Sequence, residues 1–251
     1  LKQVALVMGV ANHRSIAWAC VESLRRKNYD VIITYQDPRK LSTIERLIQQ
    51  SRKSHSNNDN GSNILGAVCV DVTSPAQQED SLSRLFQEQI PELLLAQEKE
   101  QEQTILNLNA IVHSIAYASY SSSNNNSNKR NNRQDISNAS VHDFLQAHHI
   151  SAFSLLETAK YAKPLLLQQQ PTNNNNNHPT SASITALTYL GSTRVVPQYA
   201  LMGPAKASLE ACVRGLAVEM GCKNNANDND NNNQSDITNI RVNAVSAGPI
   251  R

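Results

Sequence analysis

Six short runs of apolar, β-branched residues punctuate the chain at 4–8, 31–35, 64–70, 108–114, 184–189 and 240–246, with helical patterns between them. Such alternation is what a parallel sheet joined by right-handed crossovers requires. The helical stretches carry one apolar face each. Ile16, Cys20, Val21 and Leu24 share a face in the first, and Leu209, Cys212, Val213, Leu216 and Met220 share one in the last. The expected fold is therefore α/β, a Rossmann-type doubly wound parallel sheet with helices on both faces. A chain of 251 residues is long enough for one sizeable domain of this kind, and no second core is patterned, so residues 1–251 are expected to form a single unit.

Three polar, low-complexity stretches near 121–133, 168–178 and 223–234 interrupt that pattern, dominated by Asn, Ser and Gln. They lack the apolar residues that would offset their ordering entropy, so they are expected to be disordered surface insertions between elements. The charged stretch 97–103 is expected to be a solvated helix end.

The formal net charge of +2 gives no electrostatic case for a nucleic acid or membrane partner. No apolar run reaches the length of a membrane span. Cys20, Cys69, Cys212 and Cys222 show neither metal-ligand nor disulfide-framework spacing, so no metal is expected and buried, reduced thiols are. A reducing soluble compartment fits, plastid stroma or cytoplasm. The first residue is Leu1, so a targeting peptide would lie outside this sequence.

The chemistry-bearing residues cluster late in the chain. Leu187-Thr188-Tyr189-Leu190-Gly191 is followed by Gln198-Tyr199 and then Met202-Gly203-Pro204-Ala205-Lys206. A helix starting near Tyr199 would project the phenol and the Lys206 ammonium from one face, roughly 10 Å apart along its axis. A phenol with a pKa of about 10 is a poor proton donor at neutral pH, and a nearby ammonium is expected to lower it. Taken alone, the pair is equally a rim aromatic and a solvated charge.

Its surroundings resemble the enoyl-acyl-carrier-protein reductases of type II fatty acid synthesis, a divergent branch of the short-chain dehydrogenase/reductases. The branch has paired tyrosines ten residues apart and Tyr-x6-Lys, whereas the wider superfamily uses Tyr-x3-Lys. The similarity continues through 206–211 and through Arg241-Val242-Asn243-Ala244-Val245-Ser246-Ala247-Gly248-Pro249-Ile250-Arg251. It implies that Tyr199, Lys206 and Tyr189 are catalytic and that Ala116, Tyr189, Tyr199 and Met202 face the substrate. Met202 is equally well plain helix packing. It also implies a substrate-covering loop and helix, a further helix and a last strand beyond Arg251, so the C-terminal part of the domain reads as missing.

The first strand runs into Gly9-Val10-Ala11-Asn12-His13-Arg14-Ser15-Ile16-Ala17, which departs from G-x-G-x-x-G. Small residues there still permit close backbone approach and a helix N-terminus facing a pyrophosphate; an ordinary strand-to-helix turn is the alternative. By the resemblance, the cofactor contacts are Gly9, Ala11, Ser15, Ile16, Gln36, Asp71, Val72, Ser114, Ile115, Ala116 and Lys206, with Pro249 and Ile250 at the carboxamide. After the second strand, Asp37 would repel a 2′-phosphate while Arg39 and Lys40 would attract one. Gln36 resembles the NADH-using members. NADH is thus the expected reductant, with NADPH the alternative.

The activity implied is reduction of a trans-2-enoyl thioester on acyl carrier protein, by a homotetramer when full length. A dinucleotide-binding module without catalysis, or an inactive fragment, is the alternative from another class. A ketoacyl reductase is the alternative within the superfamily, which the absence of Tyr-x3-Lys opposes.

Overall fold

The computed structural model describes residues 2–55, 62–73, 75–100, 106–119, 136–167, 182–221 and 239–248. The three low-complexity stretches, Cys222, Pro249 and Ile250 lie outside them. Six strands form one sheet: β1 Lys2–Met8, β2 Asp30–Tyr35, β3 Ile64–Cys69, β4 Leu106–His113, β5 Ser183–Thr188 and β6 Arg241–Ser246. Each lies within two residues of an expected run. Their order is β3-β2-β1-β4-β5-β6 and every pairing is parallel. The order reverses between β1 and β4, so their C-terminal ends open a crevice at a topological switch point.

Helices α1 Ile16–Arg25 and α2 Leu41–His55 cover one face of the sheet. There Trp18, Val21 and Ile44 pack on Val7, Val31 and Ile33. The other face carries α3 Pro75–Arg84, α4 Ile90–Glu100, α5 Val141–His148, α6 Ser154–Leu167 and α7 Met202–Gly221. On that side Leu82, Phe86, Leu155, Leu209 and Val213 pack on Leu6, Ile32, Ile111 and Ile184. Burying each such side chain contributes roughly 1.5–3 kcal/mol. The apolar face expected on α7 is the face buried here, with Cys212 at its edge; on α1 the buried face is instead centred on Ala17, Trp18 and Val21, with Cys20 and Leu24 at its margin and Ile16 turned to the end of the sheet. Short π-helical segments, 85–89 and 149–153, join α3 to α4 and α5 to α6. Among the described residues no helix is long and apolar enough to cross a membrane.

Two expectations need correction. The last helix begins at Met202, not near Tyr199, and residues 198–201 form a turn that leads into it. Pro204 supplies the reason: it has no N–H to donate, so it is tolerated in the first turn and disfavoured further in. The thiols of Cys20, Cys69 and Cys212 are free but half-buried, because each lies at the margin of an apolar face and not at its centre.

Candidate active site

Because the strands are parallel, β1, β4, β5 and β6 all deliver their last residues to one edge of the sheet. At that edge lies a cleft of about 460 Å³, lined by Ser15 and Ile16 from the start of α1, Ser114 and Ala116 after β4, Tyr189 after β5, and Tyr199 and Lys206 from the approach to α7 and its second turn. Arg14, Leu187, Thr188, Ala247 and Gly248 complete it. Seven expected site residues from four separate segments are thus brought together.

The Tyr189 and Tyr199 rings meet edge to face, with centroids 5.0 Å apart and planes at 63°. Burial, and then the neighbouring Tyr189, push the Tyr199 phenol above its ordinary pKa. This corrects the expected lowering by Lys206. The Lys206 ammonium is instead directed at a carbonyl: its Nζ donates to Leu187 O at 2.7 Å. Tyr199 is therefore a neutral phenol at physiological pH, suited to donating a hydrogen bond. Lys206 is only 5% exposed, and burial lowers its pKa to about 8 against the opposing pull of Glu210.

The turn after β1 fits a dinucleotide diphosphate. Gly9 has φ 85, and a Cβ there would stand 2.5 Å from Ser114 O, so only glycine lets the ends of β1 and β4 approach this closely. Ser15 caps α1: its hydroxyl donates to Asn12 O at 2.7 Å and accepts from Trp18 N at 3.3 Å. The unpaired N–H groups of the first turn therefore open beside Ser15 and Ile16, the arrangement that favours an anion.

Along the same edge, a pocket of about 150 Å³ brings together Gly9, Ala11, Gln36, Val72, Ser114, Ile115 and Ala116. A neighbouring pocket of about 250 Å³ holds Gln36 and Asp71 together with Asp37, Arg39 and Lys40. Asp71 is fixed by accepting from Thr73 N at 2.9 Å. Asp37 grips Arg39 from both sides, accepting from its Nε and Nη2 at 2.8–3.0 Å and from its backbone N at 2.9 Å. Those bonds hold the Asp37 carboxyl below its usual range.

Met202 stands apart from these three pockets; its sulfur lies 3.9 Å from Ser151 Oγ. Sequence reasoning missed Ser151, which sits in the π-helical segment and holds the chain after Ala116 by exchanging hydrogen bonds with Tyr117 N and O at 2.9 and 3.0 Å. It also missed His113, which is fully buried under the site. Ser154 Oγ donates to Ile150 O at 2.7 Å, so it accepts from His113 Nε2 at 2.8 Å. His113 Nδ1 has no hydrogen-bond partner. Burial, and then the charge of Lys206, bring its pKa to about 3. No group of His, Cys, Asp and Glu that could hold a metal occurs among the described residues.

A family model described as "Enoyl-(Acyl carrier protein) reductase" matches residues 9–93 and 94–227. The chain is 34% identical over 246 residues to the enoyl-[acyl-carrier-protein] reductase [NADH] FabI of Enterococcus faecalis, spanning 98% of this chain and 72% of that one. To the [NADPH] FabI of Staphylococcus aureus it is 30% identical, with the same coverage. Among solved structures, the enoyl-acyl carrier protein reductase of Bacillus cereus with NADP+ and indole naphthyridinone superposes with a TM-score of 0.66 at 31% identity, over all of this chain and 73% of that one. The Anaplasma phagocytophilum reductase in complex with NAD gives 0.66 at 26% identity, over all of this chain and 71% of that one. The chain belongs to the enoyl-(acyl carrier protein) reductase family.

Proposed function

We propose that this chain, as one dinucleotide-binding catalytic domain, reduces the double bond of trans-2-enoyl thioesters carried on acyl carrier protein, the last reductive step of fatty acid elongation. The observation that carries the reading is the single cleft that brings Tyr189, Tyr199 and Lys206 to the N-terminus of α1. When bound, the nicotinamide dinucleotide supplies the hydride that adds to the β-carbon. The electron pair of the double bond then moves toward the thioester oxygen, and the resulting enolate takes a proton from solvent at its α-carbon to give the saturated thioester. Tyr199 donates a hydrogen bond to that oxygen, and because the bond strengthens as charge accumulates, it lowers the barrier rather than merely tightening binding. Lys206 would hold the nicotinamide ribose through its ammonium, and Tyr189 would line the pocket beside the thioester.

The α1 N-terminus and Gly9 turn would hold the diphosphate and, by the resemblance, Asp71 and Val72 would hold the adenine. Pro249 and Ile250, by the resemblance, orient the carboxamide. NADH is the preferred reductant: the Asp37 carboxylate both occupies Arg39 and repels a 2′-phosphate. Assembly as a homotetramer completes the reading. Val141, Phe144, Leu145 and Phe153 are exposed along α5 and the π-helical segment, the kind of apolar surface that subunit contact covers.

The test is NADH oxidation with a crotonyl thioester, run beside fluorescence titration of cofactor binding. Turnover that is slowed but still measurable in Tyr199→Phe while NADH affinity is kept is the expected result. Binding without turnover in the wild-type chain would support the non-catalytic reading.

A further inference from the structure

Tyr199 is held in place by residues that no role has so far been given. Gln198, just before it, has φ 64, in the left-handed region that side chains other than glycine rarely adopt. This turn lets Tyr199 N donate to Val196 O at 3.2 Å and Tyr199 O accept from Gly203 N at 3.2 Å, which fixes the backbone at both sides of the ring. The ring itself rests on Gly191. A Cβ at position 191 would stand 2.5 Å from Tyr199 Cε1 and 3.3 Å from Cγ, and closer still to Cδ1. Cγ is the root of the ring, so no small swing of its far end relieves the overlap.

The other surroundings leave the ring little freedom. Tyr189 meets it edge to face at 5.0 Å, so the ring is confined by residues on either side of Leu190. The Gly191 carbonyl oxygen lies only 3.0 Å from where a Cβ on Gly203 would stand, so the 190–192 turn rests on the first turn of α7 with no side chain between. The ring also lines two clefts, the one that holds Lys206 and a larger one of about 820 Å³ lined by Gly191 and Gly203.

We infer that Gly191 is a positioning residue for the reduction: the space left by its missing side chain seats the Tyr199 ring, and a larger residue moves the phenol away from the substrate oxygen. A donor acts on developing charge only within about 2.7–3.1 Å of it, and a misplacement of about 1 Å can cost on the order of a hundredfold in rate. The inference rests on Tyr199 being the donor, as proposed above.

The experiment is a double-mutant cycle on kcat with crotonyl-CoA and NADH, comparing wild type, Gly191→Ala, Tyr199→Phe and the double variant. Phenylalanine keeps the ring and loses only the hydroxyl, so a merely structural effect of Gly191→Ala would be the same in both backgrounds. The expected result is a loss of about tenfold or more in Gly191→Ala, NADH affinity within about twofold of wild type, and no further loss when the change is added to Tyr199→Phe. An unchanged kcat in Gly191→Ala, or an equal loss in both backgrounds, would overturn the inference. Wild-type turnover in Tyr199→Phe alone would instead overturn the donor role on which it rests. If Gly191→Ala is insoluble, Gly203→Ala takes its place, since it displaces the Gly191 carbonyl by only a few tenths of an ångström. It should lower kcat by roughly threefold through Tyr199, and an unchanged kcat there would also overturn the inference.

Discussion

Lys206 Nζ donates to the carbonyl oxygen of Leu187 at 2.7 Å, so the one ammonium in the reaction cleft is tied to the end of β5 when no ribose competes for it. Its burial sets the first prediction. With a pKa of about 8, Lys206 is charged below that pH and neutral above it, while Tyr199 stays neutral throughout. kcat/KM is expected to be level below pH 8 and to fall above it, since that ratio reports the free enzyme. A Lys206→Arg variant, charged at every accessible pH, should lose the inflection. The same inflection in Lys206→Arg would assign it to another group.

The second prediction concerns the reductant. Replacing Asp37 by Ser frees Arg39 and removes the like charge from the pocket where a 2′-phosphate would sit. The ratio of kcat/KM for NADPH to that for NADH should rise about tenfold or more, as a charge-assisted bond to phosphate forms. Adding Arg39→Ala should cancel the gain. A ratio that does not move in Asp37→Ser would remove Asp37 from cofactor choice.

Acid sensitivity gives the third. His113 has a pKa of about 3 in the folded chain against about 6.5 unfolded, so between those values the unfolded chain binds the extra proton. Its contribution is fully present above about pH 6.5 and is lost as pH falls toward 3, at roughly 1.4 kcal/mol per unit. A His113→Gln variant, whose amide can still donate to Ser154, should lose less stability than wild type between pH 7 and pH 4 in urea unfolding. Parallel losses would show that other groups govern the acid transition.

The fourth follows from Gln198. An L-residue at φ 64 costs about 1 kcal/mol or more that glycine avoids, partly offset by glycine's larger unfolded-state entropy. Gln198→Gly should leave the unfolding midpoint unchanged or raise it, whereas Gln198→Val should lower stability by at least about 1 kcal/mol. Equal stability of the two variants would mean that this turn relaxes without cost.

Much of the architecture is legible in the sequence because strand runs and crossover helices are written in local pattern. The β-branched runs at 31–35 and 184–189 fall almost wholly within β2 and β5. The Gly9 turn, Asp71 and the tyrosine pair are legible through the family resemblance, spacing alone leaving each with an ordinary structural alternative, and the structure gathers them along one edge. The start of α7 is not where the tyrosine-to-lysine spacing puts it, although Pro204 holds the information: a helix from Tyr199 would place its missing N–H beyond the first turn. What cannot be read depends on partners far apart in sequence. The carbonyl of Leu187 carries no side-chain signal, the Ser154 hydroxyl meets His113 only after α6 crosses β4, and Gly191 is distinguished from other glycines only once the Tyr199 ring lies against it. The pKa of Tyr199 runs opposite to the expectation for the same reason, since burial and the direction of the Lys206 ammonium are properties of the packed chain.

The most direct test of the central claim follows the hydride itself. NADH labelled with deuterium at its transferable position is turned over with a crotonyl carrier-protein thioester, and the acyl product is analysed by mass spectrometry beside a parallel reaction on an acetoacetyl thioester. The expected product is a butyryl thioester with a single deuterium at its β-carbon, with no reduction of the ketoacyl substrate. Reduction of the acetoacetyl thioester in preference to the crotonyl one, or cofactor binding with no labelled product, would contradict the claim.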